Sequence, residues 1–288
     1  MLTLALMRIV VPIAGRLPQP FYALAWLAGA LAWRLRRTAR RRTIRNLLPA
    51  CDGDRDRARK ATLQSFRNVA RYYVDLATLP YRDHASFERD HVRVVGAEHI
   101  PCLFAPRPTI IASAHTGNPE LALIAIAQRG RSWVELVEAL EPPGLGRYLT
   151  RLREAAGGRV AEVGVAGTRT ALRELRGQGM VALLADRDLG GSGVCVTLVG
   201  RLVRLPRGPW ELARRTGATV VPLFLARGFA DDLTVRIDEP FAVPATADHE
   251  ADVRAAAQRW ADLLSAHLRR DPGQWTVLED YWRVHACG

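Results

Sequence analysis

From residue 91 onward, short apolar runs alternate with segments of helical period, and this alternation constrains the fold more than any other feature. "HVRVVG" (91–96), "TIIASA" (109–114), "SWVELVEAL" (132–140), "GRVAEVG" (158–164), "MVALLA" (180–185), "ATVVPLFLA" (218–226) and "LTVRID" (233–238) read as strands. "NPELALIAIAQRG", "PPGLGRYLTRLREAAG", "GTRTALRELRGQG" and "RGPWELARRTG" lie between them and read as helices. "ADVRAAAQRWADLLSAHLRR" closes the chain as one more. "GVCVTLVGRLVRL" (193–205) reads as a hairpin. Strands that alternate with helices build an α/β fold: a mostly parallel central sheet with helices on both faces. Upstream, Leu63, Phe66, Val69, Tyr73 and Leu76 recur at helical spacing, so residues 55–79 form a helix. With 288 residues, 49% of them hydrophobic, the chain can bury one large core.

The net charge of +12 is unevenly placed. Residues 1–50 carry nine arginines and no acid, whereas the rest holds 32 basic and 29 acidic residues. The head also has two apolar stretches, "MLTLALMRIVVPIAG" and "FYALAWLAGALAW", split by "RLPQP". Each is shorter than the roughly 18 residues needed to cross a bilayer as one helix. The cluster "RLRRTARRRTIR" follows Trp26 and Trp33, a pattern suited to the interface of an anionic membrane. Hence residues 1–48 are expected to be a helical membrane-docking segment and 49–288 an α/β domain. A packed helical hairpin without membrane is the alternative. No nucleic-acid motif accompanies the arginines.

Several classes of chemistry are disfavoured. Lys60 is the only lysine, which leaves one candidate for a Schiff base and makes a pyridoxal phosphate enzyme a poor fit. There is no GxSxG elbow, HExxH, P-loop or GxGxxG. Histidines 84, 91, 99, 249, 267 and 285 lack close metal-ligand spacing and are read as structural or surface groups, so neither a metal nor a resident cofactor is expected. Cys51, Cys102, Cys195 and Cys287 are scattered and are expected to be free thiols.

One corner concentrates reactive groups. "TIIASA" ends at His115, Gly117-Asn118-Pro119 turns the chain, and Glu120 falls in the first turn of the next helix. Ligands of open α/β sheets bind beyond the carboxyl ends of strands. An ionised acid beside an imidazole raises its basicity and fixes its tautomer. Such a pair removes a proton from a hydroxyl, and N–H groups around Gly117 to Glu120 are candidates to face an oxyanion. "LLADRDL" sets Asp186, Arg187 and Asp188 at another buried strand end, expected at the same sheet edge. Arg204 and Arg207 precede a helix start, which suits a phosphate.

"HTGNPE" matches the HX4(D/E) signature of bacterial membrane-associated acyltransferases, and the chain resembles the lipid A lauroyl/myristoyl acyltransferase superfamily. The likeness extends through "RRRTIRNLLP", "VEALEPPGLGRYLTRLRE", "LLADRDLGGSGVCVTLVG", "LPRGPWELARRTGATVVPL" and "DPGQWTVLEDYW". The "LADRDL" and tail segments are most similar to the phosphatidylinositol mannoside acyltransferases. The resemblance implies an acyl thioester donor (acyl-CoA as co-substrate, or acyl carrier protein), a glycolipid acceptor and peripheral attachment to the cytoplasmic membrane face. It implies His115 as base, Glu120 as motif carboxylate and Asp186 as the acid that orients the histidine. Glu138 and Arg153 match charged residues of the acceptor site. Whether Glu120 or Asp186 holds the imidazole stays open at this level. The family often has an aromatic residue and Asp after Gly-Asn, where this chain has Pro119 and Glu120. That departure leaves another lipid or a specialised-metabolite hydroxyl as alternative acceptors. An acyl thioesterase and a non-catalytic lipid-binding module are further alternatives.

Overall fold

In the computed structural model, the described residues are 13, 18–78, 81, 83–119, 121–122, 130–131, 133–138, 143–155, 159–228 and 232–287. The first apolar stretch apart from Ile13, and Glu120, lie outside them, as does most of the helix expected over 118–130.

Seven strands form the main path of the sheet: β1 (Val92–Val95), β2 (Thr109–Ser113), β3 (Trp133–Val137), β4 (Val160–Glu162), β5 (Met180–Leu184), β8 (Thr219–Arg227) and β9 (Leu233–Ile237). Their spatial order is β1-β9-β8-β2-β5-β3-β4, and β10 (Phe241–Ala242) pairs with β8 off that path. The strands from β8 through β2, β5 and β3 to β4 are parallel, and only the β8–β9 and β8–β10 pairs within this sheet are antiparallel. The expected hairpin is present as β6 (Val194–Leu198) and β7 (Arg201–Leu205).

Central strands are apolar on both sides because both sheet faces are covered. Along β2, Ile110 and Ala112 point into one core while Ile111 points into the other. The first core is filled by Trp210 and Trp260, from α8 (Gly208–Thr216) and α9 (His249–Arg270), and by Trp275 and Tyr281. Asp248 caps α9 by accepting from the Ala251 N–H, and the Trp260 indole donates to the Ala112 carbonyl, pinning α9 onto β2. The second core holds Leu76 from α3 (Arg55–Thr78) and Phe87 from α4 (His84–His91). The shorter α5 (Ile100–Phe104) adds Leu103 to it. Two more helices follow β3 and β4: α6 (Pro143–Ala155) and α7 (Val165–Arg176).

The basic head folds as α1 (Pro18–Leu35) and α2 (Arg37–Leu47). α1 lies against α3 at close range, since a Cβ on Gly29 would come within 2.5 Å of the Arg67 Cα. Arg67 stacks over the Trp26 ring and Arg40 over Trp33. Buried Leu47, at the end of α2, joins the main core, so the helices are attached to the α/β unit by packed faces.

The expectation of four free thiols is corrected for one pair. Cys195 on β6 and Cys287 near the carboxyl end form a disulfide, and Cys51 and Cys102 are free. The bridged residues are 92 apart in sequence. Only the folding of the tail against the β6–β7 hairpin brings them together, which spacing rules for neighbouring cysteines cannot reveal.

Candidate active site

Strand register sets the catalytic pair. β2 and β5 are parallel neighbours with Ser113 opposite Leu184. His115 and Asp186 each stand two residues beyond those partners, at the same edge. There His115 Nδ1 lies 2.7 Å from Asp186 Oδ1, and the His115 backbone N–H donates to Asp186 Oδ2 at 3.1 Å. The Trp275 indole donates to that same Oδ2 at 2.8 Å. Asp186 is wholly buried. Burial alone raises its carboxyl, but the charge and hydrogen bonds of His115, with the Trp275 indole, outweigh that and hold the pKa below the ordinary range. Asp186 is therefore an acid in direct contact with the His115 ring, whereas Glu120, the other candidate, lies outside the described residues.

The corner beyond β2 is held from three sides. Gly117 has φ +58°, and a Cβ there would meet the Leu225 backbone at 2.7 Å, so the turn needs glycine. The Asn118 amide donates to Asp75 on α3 at 2.8 Å. Asp75 also accepts from the Tyr22 hydroxyl at 2.5 Å and forms an ion pair with Arg227. Burial brings the Arg227 pKa down to about 9, with Arg71 adding to the effect. The tail supplies the third side: the Thr276 N–H and hydroxyl both donate to the His115 carbonyl, at 2.8 and 2.9 Å. The Gly117 N–H donates to the Gln274 carbonyl at 3.3 Å, which withdraws it from the expected oxyanion donors.

His115 opens onto a cavity of about 430 Å³. Val69, Leu136, Val163, Leu184 and Leu189 are among its apolar lining, and Glu135, Glu138, Arg153 and Arg187 are its charged lining. Three sequence-predicted residues thus meet at the cavity with His115, and Pro119 lines it too. Arg153 donates to the Tyr72 hydroxyl at 3.0 Å. Arg187 is clamped between Glu138 and Glu279, at 2.9 and 2.8 Å.

The remaining predicted residues are engaged elsewhere. Asp188 accepts from the Gly193 N–H at 2.9 Å and shapes the entry to β6. Arg204 reaches the Gly191 carbonyl at 3.2 Å, and Arg207 pairs with Glu211 and Glu250. Neither arginine lines the cavity. Among the described residues no group of three or more His, Cys, Asp or Glu is arranged to hold a metal ion.

The tail residues Trp275, Thr276, Glu279 and Tyr281 carry site roles that the sequence reading did not assign. Tyr281 donates to the Asp186 carbonyl at 2.7 Å. The only signal for them was the density of aromatic and acidic residues in "QWTVLEDYW" after the last helix. Glu279 accepts from Arg187 and is hydrogen-bonded to His285 at 2.9 Å. His285 lowers its pKa most and burial opposes, but with Arg187 added it falls to about 2, from 4.5. A carboxyl depressed on folding contributes stability above its unfolded pKa and loses it as pH falls through the folded value. Glu279→Gln is therefore expected to cost about 1–3 kcal/mol at pH 7. In urea titrations the gap to wild type should narrow as pH falls from 4.5 towards about 2. A gap constant from pH 7 to pH 3 would contradict the assignment.

Chemically, the pair can act as a base with a fixed tautomer. The ionised Asp186 accepts a hydrogen bond from Nδ1–H, and Nε2 has no hydrogen-bond partner among the described residues. The family model described as bacterial lipid A biosynthesis acyltransferase matches residues 2–284. The chain belongs to that family. It is an acyltransferase of lipid substrates, with α/β architecture around a mostly parallel sheet. It is 30% identical over 227 residues to a phosphatidylinositol mannoside acyltransferase of Mycobacterium tuberculosis, covering 76% of this chain and 69% of that protein. A phosphatidylinositol mannoside acyltransferase of Mycolicibacterium smegmatis is 29% identical, covering 76% of this chain and 71% of that protein. The crystal structure of the 1-acyl-sn-glycerophosphate acyltransferase PlsC from Thermotoga maritima gives a TM-score of 0.39 at 16% identity, covering 88% of this chain and 98% of that one. That likeness is too slight to bear on mechanism.

Proposed function

We propose that this acyltransferase moves a fatty acyl group from an acyl-CoA thioester to a sugar hydroxyl of a membrane glycolipid, of the phosphatidylinositol mannoside kind. His115 is the general base. The observation that carries the reading is the 2.7 Å contact between His115 and a wholly buried Asp186 at a cavity lined by both apolar and charged side chains. His115 Nε2 takes the hydroxyl proton as the sugar oxygen attacks the thioester carbonyl. Asp186 stabilises the imidazolium that forms. The tetrahedral intermediate collapses, the C–S bond breaks, and the proton passes from Nε2 to the departing thiolate, leaving an ester and a free thiol. The apolar lining suits the acyl chain, and Glu138, Arg153 and Arg187 suit a polar headgroup. The relatives' names support the mannoside acceptor.

Incubation with palmitoyl-CoA and phosphatidylinositol mannosides tests the reading. Acylated mannoside should form together with free CoA, at a rate that depends on the acceptor. Release of palmitate at a rate indifferent to added glycolipid would replace it with a thioesterase. An acyl carrier protein donor is distinguished by comparing palmitoyl-CoA with the acyl-protein in the same assay.

The same reading places the protein peripherally at the cytoplasmic membrane face. No helix among the described residues is long and apolar enough to cross a membrane. On α1, however, Leu24, Leu27, Leu31 and Leu35 form an outward stripe, each between 56 and 68% exposed, ahead of the arginines of α2. Burying one leucine contributes roughly 1.5–3 kcal/mol. Leu24→Ser combined with Leu27→Ser and Leu31→Ser is expected to lower binding to anionic liposomes at least tenfold, and added salt should weaken wild-type binding. Unchanged sedimentation of the triple variant would remove α1 as the docking face.

A further inference from the structure

α2 and the tail enclose a second cavity, separate from the catalytic one. It has a volume of about 350 Å³ and is lined by Thr38, Arg41, Arg42 and Arg45 of α2, and by Asp280 and Arg283 of the tail. Arg45 and Arg283 share one carboxylate, Asp280, at 2.9 and 3.6 Å. The guanidinium groups of Arg41 and Arg42 have no ion-pair or hydrogen-bond partner among the described residues. Four positive charges therefore line a cleft that holds one negative charge. The Thr38 hydroxyl adds a neutral group on the same wall.

The two segments that line the cleft are tied together at their backbones. Asn46, one turn beyond Arg42, is wholly buried. Its amide donates to the Val277 and Glu279 carbonyls at 3.2 and 2.7 Å, and its oxygen accepts from the Tyr281 N–H at 3.2 Å. Trp282 donates to the Asn46 carbonyl at 3.2 Å. These bonds fix α2 against the tail, so that Arg42 and Arg283 line the same cleft. A merely solvated basic face needs no such scaffold.

The geometry points to this cleft as a binding site for a phosphoryl group. Several guanidinium groups converging on one space suit the tetrahedral, multiply charged oxygens of phosphate better than a single carboxylate, which Asp280 already supplies. Of the two arginines expected from the sequence to serve phosphate, Arg207 is neutralised by Glu211 and Glu250, and Arg204 reaches the Gly191 carbonyl. The same tail lines both sites: Thr276 faces the catalytic cavity, while Asp280 and Arg283 face the cleft. The inference rests on the acyl-transfer reading only for the source of the phosphoryl group, which is either a headgroup of the membrane lipid or the 3′-phosphate of CoA.

Two double variants with equal loss of charge test it. Arg42→Gln with Arg283→Gln empties the cleft; Arg34→Gln with Arg37→Gln removes two exposed charges that do not line it. For the lipid source, the probe is phosphatidylcholine vesicles carrying either phosphatidate or oleate, matched in surface potential. For the donor source, the probe is calorimetric binding of CoA against 3′-dephospho-CoA. A lipid occupant predicts that the cleft variant loses about tenfold in affinity for phosphatidate vesicles but little for oleate vesicles. A donor occupant predicts that the cleft variant loses the preference for CoA over dephospho-CoA. In both cases the control variant keeps the discrimination. If the two variants behave alike in both arms, the cleft is no site and the arginines act only as a diffuse field, which leaves membrane docking intact. If neither variant weakens vesicle binding of any kind and CoA discrimination is unchanged, the cleft and the electrostatic part of the docking reading both fall.

Discussion

His115→Ala is expected to abolish acyl transfer while leaving the protein folded. Positioned general bases contribute roughly 10²–10⁴-fold. Here the ring also occupies the only position from which Asp186 can act, so the loss should fall at the upper end of that range, entirely in kcat. Binding of the thioester should change little, because the apolar lining from Val69, Leu136, Val163, Leu184 and Leu189 does not involve the imidazole. Stability should change modestly. The ring is partly exposed at the cavity, whereas the His115 backbone N–H and carbonyl, which tie the corner to Asp186 and Thr276, are untouched by the substitution. The check is steady-state turnover with palmitoyl-CoA and mannoside, alongside a thermal melt.

Asp186→Asn should be nearly as damaging, for a reason specific to this site. Two donors converge on Oδ2: the His115 backbone N–H and the Trp275 indole. Both require an acceptor there, so the asparagine oxygen must take that position. The new amide nitrogen is then forced towards the ring, where it donates to Nδ1. Imidazole responds by moving its proton to Nε2, and the nitrogen that should collect the hydroxyl proton is already occupied. A drop in kcat of about 10³-fold is expected with little change in KM. The native fold should survive, since the asparagine keeps both Oδ2 contacts. Asp186→Ala would leave two buried donors unsatisfied, at about 1–3 kcal/mol each, and should unfold at lower temperature than Asp186→Asn. The reverse order of stability would contradict the hydrogen-bond scheme.

Much of this was legible in the chain because it depends on local pattern. The apolar runs ending at His115 and Asp186 imply two buried parallel strands, and neighbours in a parallel sheet deliver their carboxyl ends to one edge. That put the two residues together without any contact being known. Glu138 and Arg153 followed from resemblance and Arg187 from its place at a buried strand end, and all three line one cavity.

What stayed illegible involves groups far apart in sequence that no periodicity links. Trp275 and Tyr281 reach Asp186 across 89 and 95 residues. The tail that carries them has no helical or strand repeat to betray its path. The Cys195–Cys287 bridge is hidden for the same reason. Arg207 misled in the opposite way. An arginine at a helix start suits a phosphate, but Glu211 one turn later was visible in the sequence as a competing partner, and Glu250 completes the neutralisation. At the corner itself, the Asn118 amide serves Asp75, a residue in the last turn of an amphipathic helix that the sequence did not connect to the site.

The protonation pattern of one ring tests the central claim most directly. With ¹⁵N-labelled histidine, imidazole shifts at pH 8 report which ring nitrogen carries the proton. The account predicts that His115 holds it on Nδ1, bonded to Asp186, with Nε2 bare towards the cavity, and that Asp186→Asn reverses this. A wild-type ring protonated on Nε2 and bare on Nδ1 would contradict it, because that imidazole could not take a proton from any hydroxyl in the cavity.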